Sequence, residues 1–293
     1  MLGAGLNGAI EWTRPSPYKE KRLFKILQKI IPQHFTSRLV GRIASSKNYV
    51  VKTLLIHLFK SFYKVSLGNA KIQRVEDYKS FNDFFTRKIT IDSTRNEHTS
   101  NIVFSPAEGK ISQIGEIRGD KLIQAKGHSY SLAELSRLDT EPYIGGSFIT
   151  IYLSPSNYHR VHLPISAILK KTVSIPGTLY SVNTSTEHSI PNLFCKNERL
   201  VCQFESERGP ILVILVGALI VASIEMDWGG PASPYLTQEV TNYNLPYTDR
   251  SEIGRFLLGS TVICCFPPNH FSLDQSLHVG KTLKVCSRIG SLT

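Results

Sequence analysis

With 293 residues and 41% apolar side chains, the chain is long enough to bury a sizeable core and too apolar to be disordered. Its net charge of +11 is unevenly placed: residues 1–75 hold 14 Lys/Arg against Glu11 and Glu20, so they carry +12 and the remainder carries −1. Five cysteines, an odd number without CxxC or zinc-knuckle spacing, read as those of a reducing compartment.

In chain order, Leu23, Phe24, Ile26, Leu27, Ile30 and Ile31 recur at helical spacing with Lys21, Arg22, Lys25 and Lys29 between them, and Pro32 stops the run. Leu54, Leu55, Leu58, Phe59 and Phe62 repeat the pattern, with Lys52, Lys60 and Lys64 expected on the other face. A basic segment seeks phosphate, on nucleic acid or on an anionic leaflet. The apolar residues favour helices lying in a membrane interface, and no nucleic-acid motif is present. The plainer alternative is a helical subdomain with a solvated basic face. No stretch reaches the roughly 20 apolar residues of a spanning helix, and the N-terminus lacks the apolar core and cleavage site of a secretory signal.

Ser80 is placed to cap a short helix carrying Phe81, Phe84 and Phe85, with Asp83 in its first turn. The polar stretch 89–100 marks a boundary. From about residue 101 the period changes to two: Ile111/Ile114, Phe148 to Leu153, Leu200/Cys202/Phe204 and Val262-Ile263 read as strands. Ser131 to Ser136 reads as a short helix. The 14-residue run Ile211 to Ile224, β-branched and broken by Gly217, reads as two buried strands. Cys264 and Cys265 point to opposite faces if they lie in a strand. The fold class is α+β: a helical region over 1–88, then a mostly antiparallel β catalytic domain over 101–293.

Chemistry concentrates in two places. Leu258-Gly259-Ser260-Thr261 lies between an amphipathic lead-in, Ile253 to Leu257, and the apolar run Val262 to Phe266. A hydroxyl beside an unhindered glycine carbonyl attacks that carbonyl once a base removes its proton, which is nucleophilic catalysis turned on the protein's own backbone. Tyr158-His159-Arg160-Val161-His162 offers two histidines for that base. Taken singly, a serine such as Ser260 is more often a turn residue, Glu108 has the alternative reading of a surface turn acid, and His159 and His162 have those of core histidines or an H-x-x-H metal pair. No nearby Cys or acid completes a metal ligand set.

Four segments occur in a particular order: Phe84-Phe85-Thr86-Arg87, Ser105-Pro106-Ala107-Glu108-Gly109, Tyr158-His159-Arg160-Val161-His162, and Gly254 to Val262. With Lys126 to Ser131, Pro191 to Phe194 and Asn197-Glu198-Arg199, the set resembles the bacterial-type phosphatidylserine decarboxylases over residues 24 to 290. The resemblance implies a proenzyme that cuts itself between Gly259 and Ser260 into a β chain (1–259) and an α chain (260–293). It implies that His162 is the base, oriented by the acid Glu108, and that Ser260 becomes a covalent pyruvoyl cofactor. That group would condense with the amine of phosphatidylserine and accept electrons as CO₂ leaves, giving phosphatidylethanolamine. His159 is the candidate for protonating the product carbanion. The resemblance also implies a homodimer of processed pairs, while the lack of a spanning helix favours a peripheral place on the cytoplasmic face of a bacterial cell membrane over a mitochondrial one, and no metal is expected.

The chain departs from the family pattern at three places: Glu108 stands for an aspartate, Ala222 for a glycine, and Asp249 to Gly254 lacks a lysine-glycine pair. The longer Glu108 side chain predicts slower processing. A processing-deficient membrane-surface binding protein on the same fold is the competing reading, with nucleic-acid binding behind it.

Overall fold

A computed structural model describes residues 33–91, 101–123, 129–187, 189–218, 224–231, 233–257 and 260–293. The basic run at 23–31, most of the 89–100 boundary, Lys126-Gly127-His128, Ala222 and Leu258-Gly259 lie outside the described residues.

Helix α1 (Gln33–Ala44) leads to α2 (Tyr49–Tyr63), whose Asn48 side chain accepts from the backbone N–H groups of Val50 and Val51. Helix α3 (Phe81–Phe85) starts as its sequence predicts: the Ser80 hydroxyl accepts from Asp83 N. Phe59 of α2 meets Phe81, Phe84 and Phe85 edge-on, with ring centroids 5.1–6.2 Å apart, in a small core with Ile56 and Tyr78.

Lys52 departs from the expected solvated face. It is buried, and its ammonium donates to the carbonyls of Glu76 (2.8 Å) and Tyr78. A four-carbon stem carries the charge to carbonyls that would otherwise be left bare. Leu54, Leu58 and Phe62 point outward instead, 57%, 60% and 79% exposed. With exposed Val50 they form a ridge at i, i+4, i+8 and i+12.

The β region follows as β1 (Ile102–Phe104), β2 (Gly109–Glu116), β3 (Lys121–Ile123), β4 (Ser129–Ser131), α4 (Leu132–Ser136), β5 (Ser147–Leu153), β6 (Arg160–His162) and β7 (Ala167–Ile175). Then come α5 (Thr184–Glu187), α6 (Leu193–Lys196), β8 (Arg199–Ser206), β9 (Gly209–Val216), β10 (Ile224–Met226), β11 (Glu239–Tyr247) and β12 (Glu252–Phe256). The chain closes with β13 (Ser260–Phe266), β14 (Phe271–Leu273), β15 (Thr282–Leu283) and β16 (Arg288–Leu292).

The main sheet has eight strands in the order β11-β7-β8-β9-β13-β5-β2-β15, with antiparallel pairing throughout. Smaller sheets β10-β12-β6 and β1-β16-β14 supply residues to the core on one of its faces. The β3-β4 hairpin, α4 and α6 cover the other. Both faces are buried, which is why β9 and β13 are continuous apolar runs rather than alternating ones. The adjacent cysteines divide as strand geometry requires: Cys264 enters the first core and Cys265 the second.

Candidate active site

Three elements converge at the C-terminal end of β5. The strand stops at Leu153, and residues 154–159 turn through Asn157, whose side-chain oxygen accepts from Ser154 N (2.9 Å) and Ser154 Oγ (2.6 Å). The chain then enters β6, which pairs with β12. Phe256, the last residue of β12, donates its N–H to the His159 carbonyl at 2.9 Å. Ser260 opens β13 opposite Leu153.

Ser260 is fully buried, and its hydroxyl has no hydrogen-bond partner among the described residues. The register fixes where it points. Ser260, Val262 and Cys264 pair with Leu153, Ile151 and Ile149, so these alternate residues share one face of the sheet. Their apolar members pack with Val161, Ile253 and Phe256 of the small sheet. An orphaned hydroxyl between two sheets is a costly arrangement, of the kind found where a group is held for reaction rather than for stability.

The two histidines are held differently. His162 Nδ1 lies 2.7 Å from the Arg250 carbonyl, which accepts only, so Nδ1 carries the proton. Arg250 presents that carbonyl from the left-handed conformation, φ 59°. His162 Nε2 keeps the lone pair, and the Tyr158 hydroxyl donates to it at 3.0 Å. Burial is the largest influence on His162 and pulls its pKa below the ordinary value. His159 donates Nδ1–H to the Asn157 carbonyl at 2.8 Å, while its Nε2 has no partner. Its ring packs on Phe85, centroids 4.0 Å apart. Complete burial lowers its pKa to about 3, so it stays neutral across the physiological range.

No hydrogen bond joins the Glu108 carboxylate to the His162 ring among the described residues. Glu108 Oε1 accepts from Asn157 Nδ2 (3.2 Å) and from the Tyr158 backbone N–H (3.3 Å). The Ser105-Pro106-Ala107-Glu108 segment reaches His162 through its backbone, since His162 N donates to the Pro106 carbonyl at 2.8 Å. Glu108 therefore orders the turn that carries Tyr158 and His159, and the Arg250 carbonyl takes the orienting contact to His162.

Several contacts come from residues to which the sequence assigned no role. Arg160 donates Nε–H to the Thr86 carbonyl at 2.7 Å and pairs with Glu252 at 2.6 Å. Arg87 donates Nη2–H to the Ser156 carbonyl at 2.9 Å. The segment after α3 is thereby fastened to the histidine turn. Phe84-Phe85-Thr86-Arg87 was visible as a motif; its attachment to residues 154–160 depends on tertiary packing that spacing does not reveal. No cluster of three or more His, Cys, Asp or Glu suited to a metal ion occurs among the described residues.

A buried serine opens β13, with His159 on the turn that follows β5 and His162 at the end of β6, residue types that nucleophile–base chemistry requires. A sequence profile described as Phosphatidylserine decarboxylase matches residues 81–291, and a second, described as PSD, matches residues 23–64. The chain is 44% identical over 282 residues to the phosphatidylserine decarboxylase proenzyme of Alcanivorax borkumensis, covering 93% of this chain and 97% of that protein. It is 46% identical over 252 residues to the protein of the same description from Pseudoalteromonas translucida, covering 82% and 88%. Against that of Ectopseudomonas mendocina it is 40% identical, covering 93% and 99%. The chain belongs to the phosphatidylserine decarboxylase family and is an enzyme of the decarboxylase class.

Proposed function

We propose that this chain is a proenzyme that severs its own backbone between Gly259 and Ser260 and then decarboxylates phosphatidylserine to phosphatidylethanolamine. The observation that carries this reading is the fully buried, partnerless Ser260 hydroxyl at the start of a central strand. In the first step His162 takes the Ser260 proton at Nε2, after the Tyr158 hydroxyl releases that lone pair, and Ser260 Oγ attacks the Gly259 carbonyl. The backbone amide becomes an ester. Elimination then frees the Gly259 carboxylate, and hydrolysis with loss of ammonia leaves a pyruvoyl group at residue 260.

Ser260 suits that group, because its backbone pairs with Leu153 of β5 and its hydroxyl has no competing partner among the described residues. When formed, the pyruvoyl supplies an electron sink for the pair released as CO₂ departs. The chain's residues do the rest. His159 takes up a proton at its bare Nε2 and passes it to the product carbanion, Phe85 fixes its ring, and the apolar layer around Val161, Ile253 and Phe256 excludes water.

A second reading is favoured by the free Nε2 of His159: that ring serves as the cleavage base and His162 as a structural brace. Substitution separates the two. In the first reading His162→Ala leaves an intact chain and His159→Ala still cleaves but does not turn over; in the second, those outcomes exchange.

The membrane is the proposed partner surface. The ridge Val50, Leu54, Leu58 and Phe62 is flanked by an open recess of about 480 Å³ lined by His57, Lys60, Ser61, Lys64, Val65 and Ser66. Apolar side chains beside lysines suit the headgroup boundary of an anionic leaflet. No helix among the described residues is long and apolar enough to cross a membrane, so attachment is proposed as peripheral, on the cytoplasmic face of a bacterial cell membrane. The α and β chains stay paired through the β5, β9 and β13 ladders after cleavage, and two such pairs form a homodimer. The direct test is a denaturing gel of the expressed protein: fragments of 259 and 34 residues in the parent, one intact band in Ser260→Ala. An intact parent chain would favour the binding-protein reading.

A further inference from the structure

Arg87 is a buried cation whose hydrogen bonding is left incomplete. Its residue is 6% exposed, Nη2 is spent on the Ser156 carbonyl, and Nε and Nη1 have no partner among the described residues. No carboxylate among the described residues lies within ion-pair distance of it; Tyr78, Glu108 and Tyr158 are near enough only to act through space. Its guanidinium lies 5.8 Å from the Phe84 ring centroid, against the same aromatic layer whose Phe85 carries His159. Burying a guanidinium with two bare nitrogens costs more than most folds tolerate without return. Three side chains on one stretch of the site thus have unmet hydrogen-bonding capacity: Arg87 as donor, His159 Nε2 as acceptor and the Ser260 hydroxyl as both.

We propose that Arg87 is the anchor for a phosphodiester, namely the phosphate of the phospholipid headgroup, and so a specificity-determining residue. The inference rests on the lipid-decarboxylase reading above and adds which headgroup group is gripped and by what. A planar guanidinium with free N–H groups is matched to a tetrahedral oxyanion, which it contacts through two oxygens. The substrate carboxylate is the wrong partner. A cation clamped on it would stabilise the charge in the ground state, although that electron pair must leave the carboxylate for CO₂ to form, and so would raise the barrier. A phosphate keeps its charge throughout and can be held through the whole reaction. Because Arg87 is also tied to Ser156, three residues before His159, occupation of the guanidinium would set the headgroup against the histidine turn.

The test is equilibrium binding to the purified full-length protein by calorimetry. The probes are glycerophosphoglycerol, which has the phosphodiester and neither amine nor carboxylate, and free serine, which has amine and carboxylate and no phosphate. The parent protein binds glycerophosphoglycerol, Arg87→Met weakens that binding at least tenfold, and Arg87→Lys, which keeps the charge and the fold but loses the planar fork, falls between. Serine binding is the same in all three. Either of two results overturns the proposal: glycerophosphoglycerol binding that is absent in the parent or unchanged in Arg87→Lys and Arg87→Met, or serine binding that depends on Arg87. Binding is read without turnover, so failure of self-cleavage and failure of phosphate recognition remain distinguishable.

Discussion

The burial of His159 makes stability depend on pH in a way that one substitution isolates. In the unfolded chain this ring has its ordinary pKa of 6.5; folding lowers it to about 3 through desolvation, opposed only by the bond to Asn157 O. The folded state therefore holds fewer protons than the unfolded state between those values. The resulting penalty is absent above the unfolded pKa and grows as pH falls toward the folded one. At pH 4.5, two units below the unfolded value, it amounts to about 2.7 kcal/mol at 1.36 kcal/mol per unit. The ring is wholly buried, so no solvent screening reduces that figure. Glu187 works in the opposite direction, its carboxyl pushed up to about 7 by burial, so the total pH dependence does not isolate His159. The difference between variants does. Urea unfolding of Ser260→Ala, which keeps one continuous chain, is compared with Ser260→Ala/His159→Gln at pH 7 and pH 4.5. The His159 variant should lose less stability on acidification, by about 2 to 3 kcal/mol. Parallel losses in the two proteins would refute a buried, neutral His159.

Tyr158→Phe removes the donor that favours neutral His162. The imidazole becomes easier to protonate, and the acid limb of self-cleavage should move to higher pH by about half to one unit, for a bond worth about 1 kcal/mol; an unmoved limb in a pH series of cleavage rates would dissociate the phenol from the base. Arg160→Met strands the Thr86 carbonyl and the Glu252 carboxylate, which is only 29% exposed. It should cost about 3 kcal/mol in urea unfolding, whereas Glu252→Gln, which still offers an acceptor, should cost about 1. The triple change Leu54→Ser/Leu58→Ser/Phe62→Ser removes exposed side chains. Folding stability should stay within about 1 kcal/mol, while flotation with anionic vesicles falls at least about tenfold; unchanged flotation would move the membrane contact elsewhere.

Much of this architecture was legible because local rules and tertiary packing agree. Ser80 caps the short helix at 81–85 as its position predicts, and the helix read over 131–136 forms as Leu132–Ser136 with Ser131 as its cap, since a hydroxyl three residues ahead of an acceptable N–H needs no tertiary help. The strands at 148–153, 200–204 and 262–266 stood out by β-branched and alternating residues. Lys52 misled because its charge predicts water, and only the fold reveals two carbonyls within reach of its stem. The site was legible as residue types and not as wiring. Ser260, His159 and His162 could be named from their motifs, yet the contact that sets the His162 tautomer is the backbone of Arg250, 88 residues away, and a carbonyl leaves no trace in a sequence. Glu108 was expected against the imidazole for the same reason, whereas it orders Asn157 and Tyr158 instead. Arg87 has no sequence signal at all for its two bare nitrogens, because satisfaction is a property of the surroundings.

The fate of the bond before Ser260 decides whether the serine becomes the electrophile. Intact-mass spectrometry of the freshly purified protein should show a 34-residue fragment, residues 260–293, whose first residue has lost its amine and hydroxyl and carries a ketone that borohydride reduces with a gain of two hydrogens. A full-length chain of 293 residues, or a fragment beginning with an unmodified serine, would contradict it.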